Sequence, residues 1–177
     1  MTAPGNYQKA ICMRTTVRPI AEDDYDAVAR ITADAYLGAG YFDSAEYPYM
    51  QKIMQVGERA AVAPMIVAER DGVVIGSATL AVYGDVWADI ALEDELEFRL
   101  LVVDPAVQRS GAGKAMVEWI LDRARHTEGI RAVSLTTGDD WHTAHALYQK
   151  LGFTRAPARD WPIPENGKML RVYRMAL

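Results

Sequence analysis

The sequence predicts a single α/β domain: a mixed, mostly antiparallel central sheet flanked by helices. Three observations point there. Between residues 95 and 137 a strand-like run, a glycine-rich turn, a helical stripe and a second strand follow in order. That order requires a crossover between near-parallel strands. Apolar runs on either side of Asp71-Gly72 form a hairpin, which brings antiparallel pairing into the same sheet. The chain has 177 residues and is 50% hydrophobic, which suits one domain with a sizeable core.

Residues 1–13 read as a tail ahead of a domain over 14–177. "RTTVRPI" (14–20) alternates weakly and is a first strand. Asp23 or Asp24 stands where a carboxylate caps a helix of about Asp24 to Leu37, in which Val28, Ile31 and Ala35 recur at helical spacing. "GAGYFDS" breaks it. Ser44 opens a second helical stretch containing Tyr49, Met50, Ile53 and Met54, with Pro48 tolerated only in its first turn. "PMIVAER" and "VVIGSATLAVYG" are the hairpin strands.

"ELEFRLLVV" (95–103) is the next strand. Simple alternation puts Leu96, Phe98, Leu100 and Val102 on one face and Glu97, Arg99, Leu101 and Val103 on the other. After the glycine turn, Met116, Val117, Ile120, Leu121 and Ala124 mark a core-facing helical stripe. "RAVSLTT" (131–137) is a strand. "GDDWHTAHALYQKLGF" is a helix with Asp139 and Asp140 as candidate caps and Gly152 as its C-cap. "MLRVYRMAL" closes the sheet.

The net charge of −5 implies no general affinity for nucleic acid or an anionic membrane. Cys12 is the only cysteine, so no disulfide closes within the chain and a reducing compartment fits. The opening residues lack the apolar core of a signal peptide, and no run approaches a membrane span. The expectation is a soluble cytoplasmic protein. Between Arg70 and Arg99 there is no lysine or arginine, while Asp85, Asp89, Glu93, Asp94, Glu95 and Glu97 fall in the gap. This is either a solvated acidic loop or a patch that attracts a cationic amine.

"DPAVQRSGAGKAM" (104–116) carries the chemistry. A Walker loop needs a glycine at Gln108 and a hydroxyl at Ala115 to hold Mg²⁺, and neither is present. A dinucleotide fingerprint needs a third glycine where Met116 stands. The pattern that fits is Q/R-x-x-G-x-G/A, filled by Gln108, Gly111 and Gly113. N–H groups from Arg109 to Ala115 would then converge at a helix N-terminus, where their partial positive charge suits a diphosphate. Arg109 or Lys114 adds a charge-assisted contact.

"ELEFRLLVVDPAVQRSGAGKAM", followed some forty residues later by "AHALYQKLGF", resembles the GNAT superfamily of N-acetyltransferases over about residues 14–177. The resemblance implies that Gln108, Arg109, Ser110, Gly111, Ala112, Gly113, Lys114 and Ala115 bind the pyrophosphate of acetyl-CoA. It implies splayed parallel strands at the CoA site, with Leu101, Val102 and Val103 pairing to the pantetheine arm and the Val103 N–H serving the oxyanion. It makes Tyr148 the acid for the leaving thiolate and Glu97 the base, with Glu95 in reserve. The acceptor is then a small-molecule or peptide amine, reached by direct transfer, since no cysteine in the motif region can carry an acyl group. Homodimers are frequent in such a family. The rival reading is a non-catalytic CoA-binding regulatory module on the same fold. Trp141 keeps it open, because it replaces an asparagine common at that position and cannot copy an amide.

His142 and His145 lack convergent third and fourth ligands, so no metal is expected. Met50, Met54 and Met65 read as core filling. Tyr36, Tyr41, Tyr47 and Tyr49 fall where such a family builds its acceptor wall; they read either as an aromatic cage around a cationic amine or, the simpler reading, as ordinary packing.

Overall fold

The computed structural model describes residues 14–164 and 167–177, so the expected tail over residues 1–13, with Cys12, lies outside the described residues. Strand β1 (Thr16–Pro19) leads through a short 3₁₀ turn into α1 (Tyr25–Gly38). Asp24 occupies the N-cap position of α1, but its carboxylate accepts from Arg18 and the Ala21 N–H instead. Pro48 is the first residue of α2 (Pro48–Met54), where a missing N–H costs nothing. The Ser44 hydroxyl accepts from the Glu46 N–H and holds the turn ahead of it. A further short helix, α3 (Val56–Ala60), follows. Sequence periodicity does not separate it from α2.

Asp71 and Gly72 take φ of 52° and 77° and turn β2 (Met65–Arg70) into β3 (Val73–Val82). Then come β4 (Glu95–Val103), α4 (Ala112–Arg125), β5 (Ala132–Gly138) and α5 (His142–Lys150). Two short strands, β6 (Thr154–Arg155) and β7 (Trp161–Pro162), precede β8 (Met169–Ala176). The sheet runs β1-β2-β3-β4-β5-β8-β6, with β7 also on β8, and β4–β5 is its parallel pair. Strand β8 lies antiparallel to the whole of β5.

Both faces of the sheet are covered. The α4 stripe Met116, Val117, Ile120, Leu121 and Ala124 is buried against Leu96, Phe98, Val133 and Leu135, with Tyr148 of α5 in the same core. On the other face Val28, Ile31, Met50, Ile53 and Val56 of α1–α3 pack on Val67, Leu100 and Val102.

That division corrects simple alternation along β4. Arg99 pairs with Thr79 and Val102 with Ser77, so Leu100 and Leu101 together oppose the single residue Ala78. This is a β-bulge, and Leu100 adopts φ of 51° to make it. The faces exchange there. Leu101 and Val103 join Leu96 and Phe98 on the α4 side, while Leu100 and Val102 join the α1 side. Glu97 therefore does not share a face with Val103. Beside the bulge β3 comes very close: a Cβ on Gly76 would lie 2.7 Å from the Val102 carbonyl oxygen, so only glycine fits. Pairing of β4 to β5 ends at Phe98↔Leu135, although both strands continue.

Four carboxylates of the acidic run, Asp85, Asp89, Glu95 and Glu97, are engaged within the fold, while Glu93 is exposed. Glu95 is fully buried and pairs with Arg159 at 2.8 Å and Arg174 at 2.7 Å. The Asp85 carboxylate accepts from the Val82 N–H, and Asp89 pairs with Arg99. The reading as an amine-attracting patch is thus replaced by a structural one for these residues. Asp139 and Asp140 do not cap α5. Trp141 takes the N-cap position without a side-chain cap, and Asp139 forms an ion pair with Arg171. Among the described residues no helix is long and apolar enough to cross a membrane.

Burial alone would raise the Glu95 carboxyl, but Arg159 and Arg174 more than offset it and hold it below the usual carboxylate range. A depressed folded pKa stabilises above the unfolded value and ceases to do so as pH falls through the folded one. Stability is therefore expected to fall as pH drops below about 4. Glu95→Gln should lower stability at pH 7 and flatten that acid limb, as read by urea denaturation across pH.

Candidate active site

The loop between β4 and α4 begins with Asp104, whose carboxylate accepts from the Ala106 N–H at 2.9 Å and fixes a 3₁₀ turn over Pro105–Val107. Arg30 of α1 donates to the same carboxylate at 2.9 Å. Arg109 and Gly111 take φ of 65° and 87°, which folds the chain back so that α4 starts at Ala112. Among the described residues no acceptor meets the N–H groups of Arg109, Ser110, Gly111, Ala112, Gly113 or Lys114. They are the free donors of a helix start, with the partial positive charge that goes with it. The Ala115 N–H is not one of them: it donates to the Gly111 carbonyl at 2.9 Å. The donor run expected to reach Ala115 ends at Lys114.

Side chains around the loop divide clearly. Gln108 and Arg109 are exposed. Lys114 bonds Glu118 one turn along α4. The Ser110 hydroxyl is buried without a partner, and the Ser110 carbonyl accepts from Arg70 at 3.1 Å. Sequence reasoning missed the two arginines, Arg30 and Arg70, that hold this loop. An aspartate before proline signals the Asp104 cap, but no local pattern assigns it or Ser110 an arginine 74 or 40 residues away.

The loop stands at the mouth of the opening between β4 and β5. The Asp104 N–H donates to the Ile75 carbonyl at 2.8 Å, which makes that pair the hydrogen-bonded one. Alternation along an antiparallel ladder then turns the Val103 N–H away from β3 and into the opening. Leu101 and Val103 line the α4 side of it, within 3.8 Å of where a Cβ on Gly113 would lie.

Tyr148 enters from α5. Its ring packs edge-on against Phe98 and Phe153 at 5.8 and 6.0 Å. Among the described residues nothing hydrogen-bonds its hydroxyl, and burial pushes the phenol well above its ordinary value, so it keeps its proton. Glu97 is fully buried on the opposite face. Its Oε2 accepts the N–H groups of Asp89, Ile90 and Ala91 at 2.9–3.0 Å, and its Oε1 has no hydrogen-bond partner. Burial raises the carboxyl, against the pull of those N–H groups and Arg99. The reserve candidate, Glu95, is locked between two arginines.

Trp141 does not reach toward the loop. It stacks on Tyr41 with centroids 4.1 Å apart and meets Tyr36 edge-on at 5.8 Å, tying α5 to the segment between α1 and α2. Tyr47 and Tyr49 pack on Phe42 next to it. Tyr36, Tyr41, Tyr47 and Tyr49 thus pack with Phe42 and Trp141 into one aromatic cluster. Both His145 nitrogens are engaged, Nδ1 with the Tyr173 hydroxyl and Nε2 with the Gly138 carbonyl, which leaves no free lone pair for base catalysis. Among the described residues no cluster of His, Cys, Asp and Glu could hold a metal ion.

A splayed parallel pair, a bulge at its root and a helix start with unanswered N–H donors define an acyltransferase fold. The family profile described as "Acetyltransferase (GNAT) family" matches residues 25–153. The chain belongs to that family. Solved structures agree at the level of fold. The protein yncA of Salmonella typhimurium, solved with its cofactor acetyl-CoA, shares 21% identity over 92% of this chain and 94% of its own, with a TM-score of 0.68. An N-acetyltransferase of Staphylococcus aureus Mu50 shares 18% over 92% and 98%, with a TM-score of 0.70. A ribosomal-protein-alanine N-acetyltransferase of Brucella melitensis shares 18% over 92% and 99%, also with a TM-score of 0.70. Among curated proteins none matches.

Gly111 has no atom within 4 Å of a Cβ, so replacing it tests backbone conformation alone. Gly111→Ala is expected to cost about 1 kcal/mol of stability and to weaken acetyl-CoA binding in calorimetry, because the N–H donors no longer converge.

Proposed function

We propose that the protein moves an acetyl group from acetyl-CoA to a primary amine, by direct transfer within a ternary complex. The observation that carries this reading is the opening between β4 and β5, with six unanswered N–H donors at its mouth and the Val103 N–H turned into it. The donor run fits a diphosphate. The unpaired β4 edge past Phe98 fits an arm that pairs by its amides. The relative solved with acetyl-CoA supports the choice of acyl donor.

The acceptor nitrogen attacks the thioester carbonyl, forming the C–N bond, and the C–S bond breaks as the tetrahedral species collapses. Backbone N–H at Val103 stabilises the oxyanion in a water-poor setting, where such a donor is worth most. Tyr148 hands its phenolic proton to the departing sulfur. Its retained proton and unengaged hydroxyl suit that role. For the base, Glu97 offers Oε1, which is unpartnered and on a carboxyl raised by burial. A second reading is that Glu97 only anchors the loop before β4, and its three bonds to Asp89, Ile90 and Ala91 favour it.

Release of free thiol with a panel of amines tests the assignment. Turnover with any amine supports the enzyme, whereas tight acetyl-CoA binding with no release supports a regulatory module. Tyr148→Phe is expected to cut kcat by roughly 10²-fold or more while calorimetric affinity for acetyl-CoA stays within about twofold. Glu97→Gln separates the two readings of that residue. A base role predicts a loss of about 10²-fold in kcat and a rising limb of the pH–rate profile displaced upward, since the ammonium must then shed its proton to solvent. An anchor role predicts an unmoved profile and a lower melting temperature.

A further inference from the structure

Arg59, on α3, is 1% exposed, and its Nε and Nη1 have no hydrogen-bond partner among the described residues. A buried guanidinium normally carries a carboxylate with it, because desolvating an unpaired charge costs several kcal/mol. None of the ion pairs among the described residues includes Arg59. The carboxylates of this face are turned to Arg99: Asp89 pairs with it, and Glu97 Oε1 lies 3.8 Å from its Nε.

The surroundings sharpen the imbalance. Lys52, Arg59 and Arg99 all bear on the ring of Trp87, at 4.9, 5.8 and 5.8 Å from its centroid. Three cations thus share one indole, against the two carboxylates Asp89 and Glu97. Lys52 is exposed and its charge is met by solvent; Asp89 and Glu97 both face Arg99, so the cation left without a direct partner is Arg59. Tyr36 and Tyr49 do not supply the missing anion, since burial raises both phenols and keeps them neutral. Burial also lowers Arg59 to about 10, which leaves it charged at neutral pH.

The cluster lies on the α1 side of the sheet, beside the bulge. Arg99 immediately precedes the bulge, and Trp87 and Tyr36 belong to the core that contains Leu100 and Val102. Tyr36 lies within electrostatic reach of both Arg59 and Tyr148 and touches Trp141 edge-on. Tyr49 is 36% exposed and Lys52 is exposed, which marks where the cluster meets solvent.

We infer that Arg59 receives the anionic group of the acceptor, so that the acceptor is a small amine carrying a carboxylate, of the amino-acid class. This rests on the acetyl-transfer reading above and narrows it. An unanswered N–H of Arg59 binds the carboxylate, and the phenols of Tyr36 and Tyr49, kept neutral by burial, lie within electrostatic reach of that guanidinium. The amine of the same molecule is then directed toward the bulge and Tyr148.

The test compares the common L-amino acids with their amides and their decarboxylated amines as acceptors, by thiol release from acetyl-CoA. The acids are expected to exceed both neutral series by about tenfold or more in kcat/KM, the size of a charge-assisted contact. In Arg59→Gln that advantage should shrink, mainly through KM, and Arg59→Lys should restore part of it. Acetyl-CoA affinity and melting temperature report whether each variant is folded. The comparison within the unmodified protein stands even if neither variant folds. Neutral amines that serve as well as the acids overturn the inference and leave acetyl transfer standing, as does an acid-to-amide ratio that Arg59→Gln does not change. Acetyl-CoA binding with no thiol release from any series overturns the acetyl-transfer reading, and this inference with it.

Discussion

The bulge at Leu100 is the constraint on which the site depends. A leucine held at positive φ costs on the order of 1 kcal/mol. That cost is met by packing, because Leu100 and Val102 are buried under α1–α3 while Leu101 and Val103 meet α4. Inserting one residue into β4 bends the strand, ends its pairing with β5 at Phe98 and leaves backbone groups unpaired between two strands that are otherwise central to the sheet. Unpaired central backbone is a liability in a structural sheet. In the function proposed above, it is the surface that a cofactor arm made of amides completes.

The β4–α4 loop and the aromatic cluster around Trp141 are mechanically joined. Asp104 fixes the turn before the donor run and is itself held by Arg30 on α1, while Ser110 is tied by Arg70 at the end of β2. Trp141 binds the start of α5, which carries Tyr148, to Tyr36 and Tyr41 at the end of α1 and just beyond it. The substitution of a tryptophan for an amide thus contributes an aromatic brace between the two sides of the site.

Electrostatics divides the acidic segment before β4 into two uses. Glu95 neutralises Arg159 and Arg174 and anchors the chain after α5 to the sheet. Glu97 and Asp89 shape the loop over Trp87 and face Arg99. What remains without a partner among the described residues is Arg59, which the inference above assigns to an anionic group of the acceptor. Of the carboxylates in the acidic run only Glu95 and Glu97 are buried, while Asp89 and Glu93 stay exposed.

Much of the molecule was legible in the sequence by itself. The hairpin at Asp71-Gly72, the α4 stripe, the strand–turn–helix order around Gly111 and the tyrosine of α5 are set by interactions within a few residues, which leave periodic or turn-forming signatures. Membership of the acetyltransferase family follows from the same local patterns. Only the tertiary structure decided which way Glu97 faces, where β4 parts from β5, what Trp141 packs against and that Arg59 is buried without a partner. Nothing in "EFRLLVV" announces a bulge, because the leucine at positive φ is held there by contacts from α1–α3 on one side and α4 on the other. Charge pairing is likewise non-local: the partners of Glu95 lie 64 and 79 residues away along the chain. Coulomb and packing energies depend on distance in space, and only the folded chain sets those distances.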